Sequence, residues 1–185
     1  MKTLVFFLEE LSAEAMLKGV LPRLLPADIH PAYFPFPGKQ ALEKELLRKL
    51  RGWRKADSMF VVLRDQDRGD CRAVKETLAA ISRAAGRPEA LVRIACRELE
   101  SFYLGDLAAV EKGLGLKGLR AQQGKEKFRN PDLLADASGE LRNLTNKAYQ
   151  KISGSRAIAP HLVLENNRSP SFRALITGIR RLVAA

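Results

Sequence analysis

Three short, mostly apolar runs mark the first half of the chain, at Thr3–Leu8, Met59–Leu63 and Leu91–Ala95. Continuous apolar runs of this length predict strands that are buried on both faces, as in a parallel sheet. The segment from Ile29 to Phe36 is also strand-like, but it contains two prolines and is followed by a third. Because proline cannot donate a hydrogen bond within a sheet, we expect an edge strand or an irregular strand there.

Apolar residues at helical spacing lie between and after these runs. They predict helices from an N-cap at Ser12 to near Pro26, from Gln40 to Trp53, from about Cys71 to Ala85, and from Arg97 to Leu104. Strands separated by helices of this length need crossover connections. The predicted fold is therefore α/β, a mainly parallel open sheet flanked by helices on both faces.

The sequence changes in character after Asp106, where glycines interrupt the leucines and a polar stretch follows. Further helices are predicted at Pro131–Asn143 and at the C-terminus, where Ser169 would be the N-cap and Pro170 the first helical residue. We therefore divide the chain into an α/β core, residues 1–107, and a basic, mostly helical extension, residues 108–185. The extension is expected to pack on the core as one compact unit.

Charge separates the same two parts. The 185 residues contain 32 Lys and Arg against 21 Asp and Glu, a net charge of +11. Residues 1–107 are nearly balanced, whereas residues 108–185 have 14 basic and 6 acidic side chains. This asymmetry suggests a surface that faces a polyanion, although a basic protein kept soluble by its charge is the alternative. The candidate nucleic-acid-binding residues are one helix face and the C-terminal cations: Lys44, Arg48, Arg51, Lys55, Lys125, Lys127, Arg129, Lys147, Lys151 and Arg156.

Several classes of protein are disfavoured by the sequence. No run approaches the ~20 apolar residues of a membrane span, and the N-terminal apolar run is too short for a signal peptide. Cys71 and Cys96 have no metal-binding spacing, so we expect a reduced, cytosolic protein that does not contact a membrane. The P-loop and serine-hydrolase signatures are absent. The segment from Gly113 to Gly118 has the GxGxxG spacing, but no predicted strand directly precedes it, so it does not indicate a dinucleotide site.

Acidic residues follow three of the predicted strands: Glu9 and Glu10, then Asp65 and Asp67, then Glu98 and Glu100. The carboxyl ends of parallel strands meet at one edge, where crowded carboxylates repel one another unless a cation joins them. Oxygen ligands of this kind suit Mg²⁺ or Mn²⁺. If the loop is extended, Asp65 and Asp67 point the same way, whereas only one of Glu98 and Glu100 is expected to reach a shared ion.

Two acids also have simpler interpretations. Glu10 can be an exposed loop residue, and Asp70 can be only the N-cap of the helix that follows it. Both alternatives stay open at the level of the sequence.

These acids resemble the motifs of the Toprim domain of topoisomerases, primases and overcoming-lysogenization-defect nucleases. The segment Leu8–Glu14 is similar to the Toprim motif VEGxTE, with Glu9 in the place of the conserved glutamate and Glu10 in the place of the usual glycine. Asp65-Gln66-Asp67 matches the DxD motif of that domain. The resemblance implies a Toprim-like sheet, with Glu9 as a metal ligand or as the catalytic acid or base.

Most of the chain also resembles a bacterial Toprim-like family of unknown function that is often encoded beside an ATPase. Glu98–Leu104 with Asp106 is similar to its third acidic motif. Tyr149-Gln150-Lys151 and Arg168-Ser169 with Phe172 are similar to its C-terminal features.

The resemblance implies a metal-dependent, nuclease-like activity on phosphodiesters, in defence against foreign DNA or in DNA processing. Asp65 and Asp67 would hold Mg²⁺ or Mn²⁺, with Glu9 and with Glu98 or Glu100 completing the site. Two alternatives remain open. One is a non-catalytic effector or regulatory subunit of a partner ATPase, and the other is a module that binds nucleic acid without a metal.

Overall fold

Four parallel strands form one sheet in the computed structural model, which describes residues 2–184. The strands are β1 (Lys2–Leu8), β2 (Ile29–Pro35), β3 (Ser58–Asp65) and β4 (Leu91–Ala95), in the spatial order β2-β1-β3-β4. All four predicted strands are therefore confirmed, and the proline-containing β2 is an edge strand, as expected. The strand order reverses between β1 and β3, which is where open parallel sheets place their ligands.

Helices flank the sheet and confirm the predicted α/β class. In the described residues they are α1 (Leu11–Val20), α2 (Lys39–Arg51), α3 (Cys71–Ala84), α4 (Glu100–Leu104), α5 (Leu107–Leu114), α6 (Ala137–Leu144), α7 (Lys151–Ile158) and α8 (Pro170–Ala184). Short 3-10 turns lie at Leu21–Arg23, Arg120–Gly124, Glu126–Phe128, Pro131–Leu133 and Ala159–His161. None of the helices within residues 2–184 has the length and hydropathy needed to cross a bilayer.

The alternation of side chains along the strands divides the core between the two faces of the sheet. Phe7 and Phe60 pack with leucines of α2 and α3 on one face. Phe6 lies on the other face, in a larger apolar cluster with residues such as Met16 of α1 and Phe172 of α8. Because this cluster joins strand residues to C-terminal helices, the segment after Asp106 packs directly on the sheet.

Two predicted helix starts are wrong, both at the carboxyl edge of the sheet. Ser12 lies inside the first turn of α1, because the chain already becomes helical at Leu11 and Glu10 is the N-cap residue. The helix predicted from Arg97 begins only at Glu100. Residues 96–99 form a turn in which Arg97 has a φ of +63°, a conformation that the interior of a helix does not allow.

The C-terminal half contains more separate helices than predicted. The expected helix at 131–143 is broken into a 3-10 turn and α6, whose N-cap Asp136 accepts a hydrogen bond from the Gly139 N–H at 2.7 Å. Helices α5 and α7 were not predicted, because glycines obscure their apolar spacing. The predicted C-terminal helix is confirmed, with the Ser169 hydroxyl accepting a hydrogen bond from the Phe172 N–H at 3.1 Å.

Candidate functional site

Acidic side chains gather at the carboxyl ends of the two central strands. Glu9 and Glu10 follow β1, and Asp65 is the last residue of β3, which pairs with β1 in parallel. Glu100, at the start of α4, is the fourth member of this group. We call these four residues the acidic edge. Its position follows from the strand order, because the chain leaves β1 and β3 on either side of the reversal.

Of the acids that directly end or follow β1 and β3, Asp65 is the most buried, with only 9% of its surface exposed. Its backbone N–H donates a hydrogen bond to Glu9 Oε2 at 3.0 Å, which fixes Glu9 beside it. Burial raises the pKa of Asp65 well above its ordinary value, and the charges of Glu10, Glu9 and Glu100 raise it further. These effects outweigh a backbone hydrogen bond from Leu99, which lowers the pKa, so the surroundings of Asp65 oppose its ionisation on balance.

Glu9 shares this environment. Burial raises its pKa, the hydrogen bond from the Asp65 N–H opposes that shift, and the charge of Asp67 adds to it. The Arg64 guanidinium is 3.9 Å from Glu9 Oε2, but its closer partner is Glu43. Glu9 is thus held in position by the Asp65 backbone, and its pKa is raised above the ordinary value.

Glu10 faces a cation that comes from far away in the sequence. Lys151 is the first residue of α7, and its Nζ donates a hydrogen bond to Glu10 Oε2 at 2.7 Å. The Ser12 hydroxyl donates to the other oxygen, Glu10 Oε1. Burial lowers the pKa of Lys151, but Glu10, Glu100 and Asp65 outweigh that effect and raise it. Of the alternatives left open for Glu10, the exposed loop residue does not fit, because Glu10 is half-buried and pairs with Lys151.

Glu100 is fully buried and belongs to a network of hydroxyl groups. The Tyr149 hydroxyl donates to Glu100 Oε1 at 2.9 Å, and the Ser155 hydroxyl lies 3.4 Å from Tyr149. Burial raises the pKa of Glu100, against the opposing effects of Lys151 and Tyr149. In the described part of the chain, Glu100 Oε2 and the Tyr103 hydroxyl have no hydrogen-bond partner. Unsatisfied buried atoms of this kind are expected where a ligand completes a site.

Asp67 and Asp65 do not point the same way. The loop after β3 is not extended, because Asp67 has a φ of +56°. Asp67 is half-exposed and accepts a hydrogen bond from Lys39 Nζ at 2.7 Å, whereas Asp65 is buried among the other acids. Asp70 is the N-cap of α3 and accepts from the Ala73 N–H at 2.8 Å, which confirms the simpler interpretation of that residue.

Glu98 and Glu100 have different surroundings, although Glu98 precedes α4 and the helical spacing that predicted their separation does not apply. Glu98 Oε2 accepts a hydrogen bond from the Ser138 N–H at 2.7 Å, in the first turn of α6. Glu98 lies beside a cavity of about 560 Å³ that Lys39, Asp67 and Arg68 also line. Glu100 is therefore the member of the pair that reaches the buried acids.

The donor set fits a hard divalent cation, because it consists of carboxylate oxygens and includes the unsatisfied Glu100 Oε2. Within residues 2–184, however, no three His, Cys, Asp or Glu side chains already form a group that could hold a metal ion. The acids are paired with protein groups instead. Lys151 neutralises Glu10, and Lys39 neutralises Asp67.

The predicted nucleic-acid-binding residues lie on separate surfaces. Lys44, Arg48 and Arg51 belong to α2, which covers the opposite face of the sheet from α7 and α8. Lys55 lies just before β3, at the amino ends of the strands and thus away from the acidic edge. The C-terminal segment contains the other predicted cations, and all of them are exposed: Lys125, Lys127, Arg129, Lys147 and Arg156. Lys151 alone among the predicted cations pairs with a member of the acidic edge.

Two cations of the site were not predicted in these roles. The sequence gives no sign that Lys39 takes part in the site, and it indicates only phosphate contacts for Lys151. The family resemblance includes Lys151 in the segment Tyr149-Gln150-Lys151, but it does not indicate the partner Glu10, which is 141 positions away. Lys39 follows Gly38, whose N–H donates to the Glu9 carbonyl at 3.0 Å, and no pattern in the sequence shows that contact.

Removing the Tyr149 hydroxyl is expected to destabilise the protein. Tyr149→Phe leaves the buried Glu100 carboxyl without its side-chain donor, which should lower the free energy of unfolding by about 1–2 kcal/mol. Urea unfolding at neutral pH measures the change. Tyr33→Phe, at a half-buried tyrosine on the edge strand, is the matched control and should change stability by less than about 0.5 kcal/mol. Equal effects of the two variants would contradict a special role for the Tyr149 hydroxyl.

Comparison with known proteins gives one match. Residues 8–180 match a family described as a domain of unknown function, DUF4276. No curated protein and no solved structure matches the chain. The matched segment contains every residue of the acidic edge and Lys151, so the site lies within the domain.

Proposed function

The chain belongs to the DUF4276 family, and for this domain of unknown function we propose a metal-dependent, nuclease-like activity on phosphodiesters. The observation that carries the proposal is the acidic edge itself. Four carboxyl groups lie near the reversal of the strand order, where the charges of Glu10, Glu9 and Glu100 raise the pKa of Asp65. The fully buried Glu100 has an oxygen without a partner among the described residues. A relationship to the Toprim domain is part of the proposal. It is supported by the positions of Glu9 after β1 and of Asp65-Gln66-Asp67 at the end of β3.

The buried acids would hold the metal ion. Glu9, Glu10, Asp65 and Glu100 would supply ligands, and Asp67 would add one from the open side of the group. Bound Mg²⁺ or Mn²⁺ would stabilise negative charge on the phosphate oxygens. Tyr149 would orient Glu100 through the hydrogen bond to Oε1, which leaves Oε2 directed elsewhere.

Glu9 is suited to hold or move a proton. Its Oε2 is engaged by the Asp65 N–H, so Oε1 is the oxygen that would accept a proton. Burial raises the pKa of Glu9, which brings a carboxyl closer to the range in which it serves as a general acid or base near neutral pH.

Lys151 would act as a counter-charge at the acidic edge. Its side chain is half-exposed, and its ammonium neutralises Glu10. If Glu10 became a metal ligand, the Lys151 ammonium would be available to contact a substrate phosphate. Lys151 thus links the acidic edge to the proposed contacts with nucleic acid.

Divalent ions should raise the melting temperature of the protein if the acids bind them. A ligand that binds only the folded state stabilises it by about 2.7 kcal/mol at a concentration of 100 times its dissociation constant. The double variant Asp65→Asn with Asp67→Asn should lose the response to Mn²⁺, while its metal-free stability is unchanged or higher. Differential scanning fluorimetry with Mn²⁺ and with EDTA measures both. An unaltered Mn²⁺ response in the double variant would mean that the ion binds elsewhere.

A second candidate function is that of a non-catalytic effector or regulatory subunit of a partner ATPase. The pairing of Lys151 with Glu10 and of Lys39 with Asp67 favours it, because cations of the protein already neutralise these acids. An ATPase encoded beside this chain would support a two-component system under either proposal. Nuclease assays on DNA and RNA, with and without that ATPase, separate the two, since only a nuclease cleaves.

A further inference from the structure

Two cysteines that the acidic edge does not use lie side by side next to it. The Sγ atoms of Cys71 and Cys96 are 3.9 Å apart, although 25 positions separate the residues in the chain. Both cysteines are free and half-buried. A disulfide bond has an S–S distance of about 2.05 Å, so a relative movement of about 2 Å would allow the two sulfurs to bond.

Each cysteine lies at one end of a segment that carries acidic residues. Cys71 is the first residue of α3 and follows the loop 66–70, whereas Cys96 follows β4 and begins the turn that leads to Glu100. Hydrogen bonds already join these segments: the Asp67 N–H donates to the Arg97 carbonyl at 2.8 Å. A bond between the sulfurs would therefore join the loop after β3 to the turn after β4.

Small molecules can reach both sulfurs. A cavity of about 390 Å³ is lined by the two cysteines together with Lys75, Arg93 and Asp132. Burial, and next the charge of Asp132, raise the pKa of Cys96 to about 12, so its thiol stays protonated at neutral pH. A hydroperoxide oxidises a thiolate, so this raised pKa disfavours Cys96 as the first thiol to be oxidised and leaves that step to Cys71.

We infer that Cys71 and Cys96 are a redox-modification site that closes to a reversible disulfide when the protein meets a hydroperoxide. In the first step the Cys71 sulfur takes the terminal oxygen of the hydroperoxide and becomes a sulfenic acid, while the remaining oxygen leaves as an alcohol or as water. In the second step the Cys96 sulfur attacks the Cys71 sulfur, and the hydroxyl group leaves with the Cys96 proton as water. Two thiols are oxidised and one hydroperoxide is reduced.

The disulfide ties the two acid-bearing segments together, and it forms whether or not the acidic edge binds a metal. Its test therefore reads the thiols and not the metal. The folded, metal-free protein is exposed to hydrogen peroxide, quenched, denatured and alkylated with N-ethylmaleimide before intact-mass analysis. We expect the loss of two hydrogen atoms, no alkylation of either cysteine, and full recovery of both thiols with dithiothreitol. The melting temperature should rise by about 5 °C or more, because the bond closes a loop of the unfolded chain.

Single variants assign the two steps. Cys96→Ser cannot resolve the sulfenic acid, so Cys71 should then react with dimedone, whereas Cys71→Ser should show little dimedone adduct at Cys96. Two alkylatable thiols in the peroxide-treated wild type would overturn the inference. Oxidation that occurs only between molecules would overturn it as well, and so would equal dimedone labelling of Cys71 in the wild type and in Cys96→Ser. The wild-type measurement stands alone if a variant fails to fold.

Discussion

Asp65→Asn is expected to stabilise the protein at pH 7.5 by about 2 kcal/mol, which is roughly 4–8 °C in melting temperature for a chain of this size. Asp65 is nearly buried, and burial and then the charges of Glu10, Glu9 and Glu100 raise its pKa. Its ionised form is therefore unfavourable in the folded protein. Asparagine keeps the size and polarity of the side chain and removes the charge.

The sign of this effect fixes its pH dependence. A carboxyl whose pKa is higher in the folded than in the unfolded state binds more protons when folded. Stability then falls as the pH rises from the unfolded pKa, about 3.9 for aspartate, through the folded pKa. The difference between Asp65→Asn and the wild type should be largest near pH 8 and disappear near pH 4. Thermal melts in metal-free buffer across this range measure it.

Asp67→Asn is the matched control, since Asp67 is half-exposed and pairs with Lys39. Its substitution should change stability by less than about 0.5 kcal/mol, because exposed ion pairs contribute little. If Asp65→Asn destabilised the protein at pH 7.5, favourable contacts would stabilise the ionised Asp65 carboxylate in the folded state. Repulsion among the acids of the acidic edge would then not determine the effect of Asp65 on protein stability.

The sheet could be predicted from the sequence because each strand is recognisable from its own residues. The apolar runs of β1, β3 and β4 need no knowledge of distant residues, and the prolines of β2 directly exclude a central position. The turn at residues 96–99 could not be predicted. Its positive φ at Arg97 depends on hydrogen bonds with the loop after β3, including one from the Arg97 N–H to the Gln66 side chain at 3.1 Å.

The site could be predicted only in part for the same reason. The strand ends located Glu9 and Asp65 at one edge, because parallel strands end together. The pairing of the acids depends on long-range contacts: Glu10 with Lys151, and Glu100 with Tyr149. A motif shows which acids are present at the edge but not which cations neutralise them, and this pairing determines how readily a metal ion can enter.

Charge reversal on the basic surfaces should separate binding from catalysis. Lys44→Glu, Arg48→Glu and Arg51→Glu together should weaken binding to duplex DNA about tenfold or more. They should also reduce the slope of log affinity against log salt by about 3 if each residue contacts one phosphate. The matched triple variant is Lys125→Glu, Lys127→Glu and Arg129→Glu, on the segment whose Phe128 packs against the other face of the sheet. Fluorescence anisotropy at several salt concentrations shows which surface binds.

Asp67→Ala should have the opposite pattern, because it removes an acid near the site and no basic side chain. We expect DNA binding to be unchanged or slightly tighter, since counterion release does not depend on the metal. Any Mg²⁺- or Mn²⁺-dependent cleavage should be lost in Asp67→Ala and in the charge-reversal variant that fails to bind. The Mn²⁺ response of the melting temperature should survive in the latter, because its acids are intact. Tight, salt-sensitive binding without cleavage of DNA or RNA, with or without a neighbouring ATPase, would contradict the nuclease and favour the non-catalytic effector.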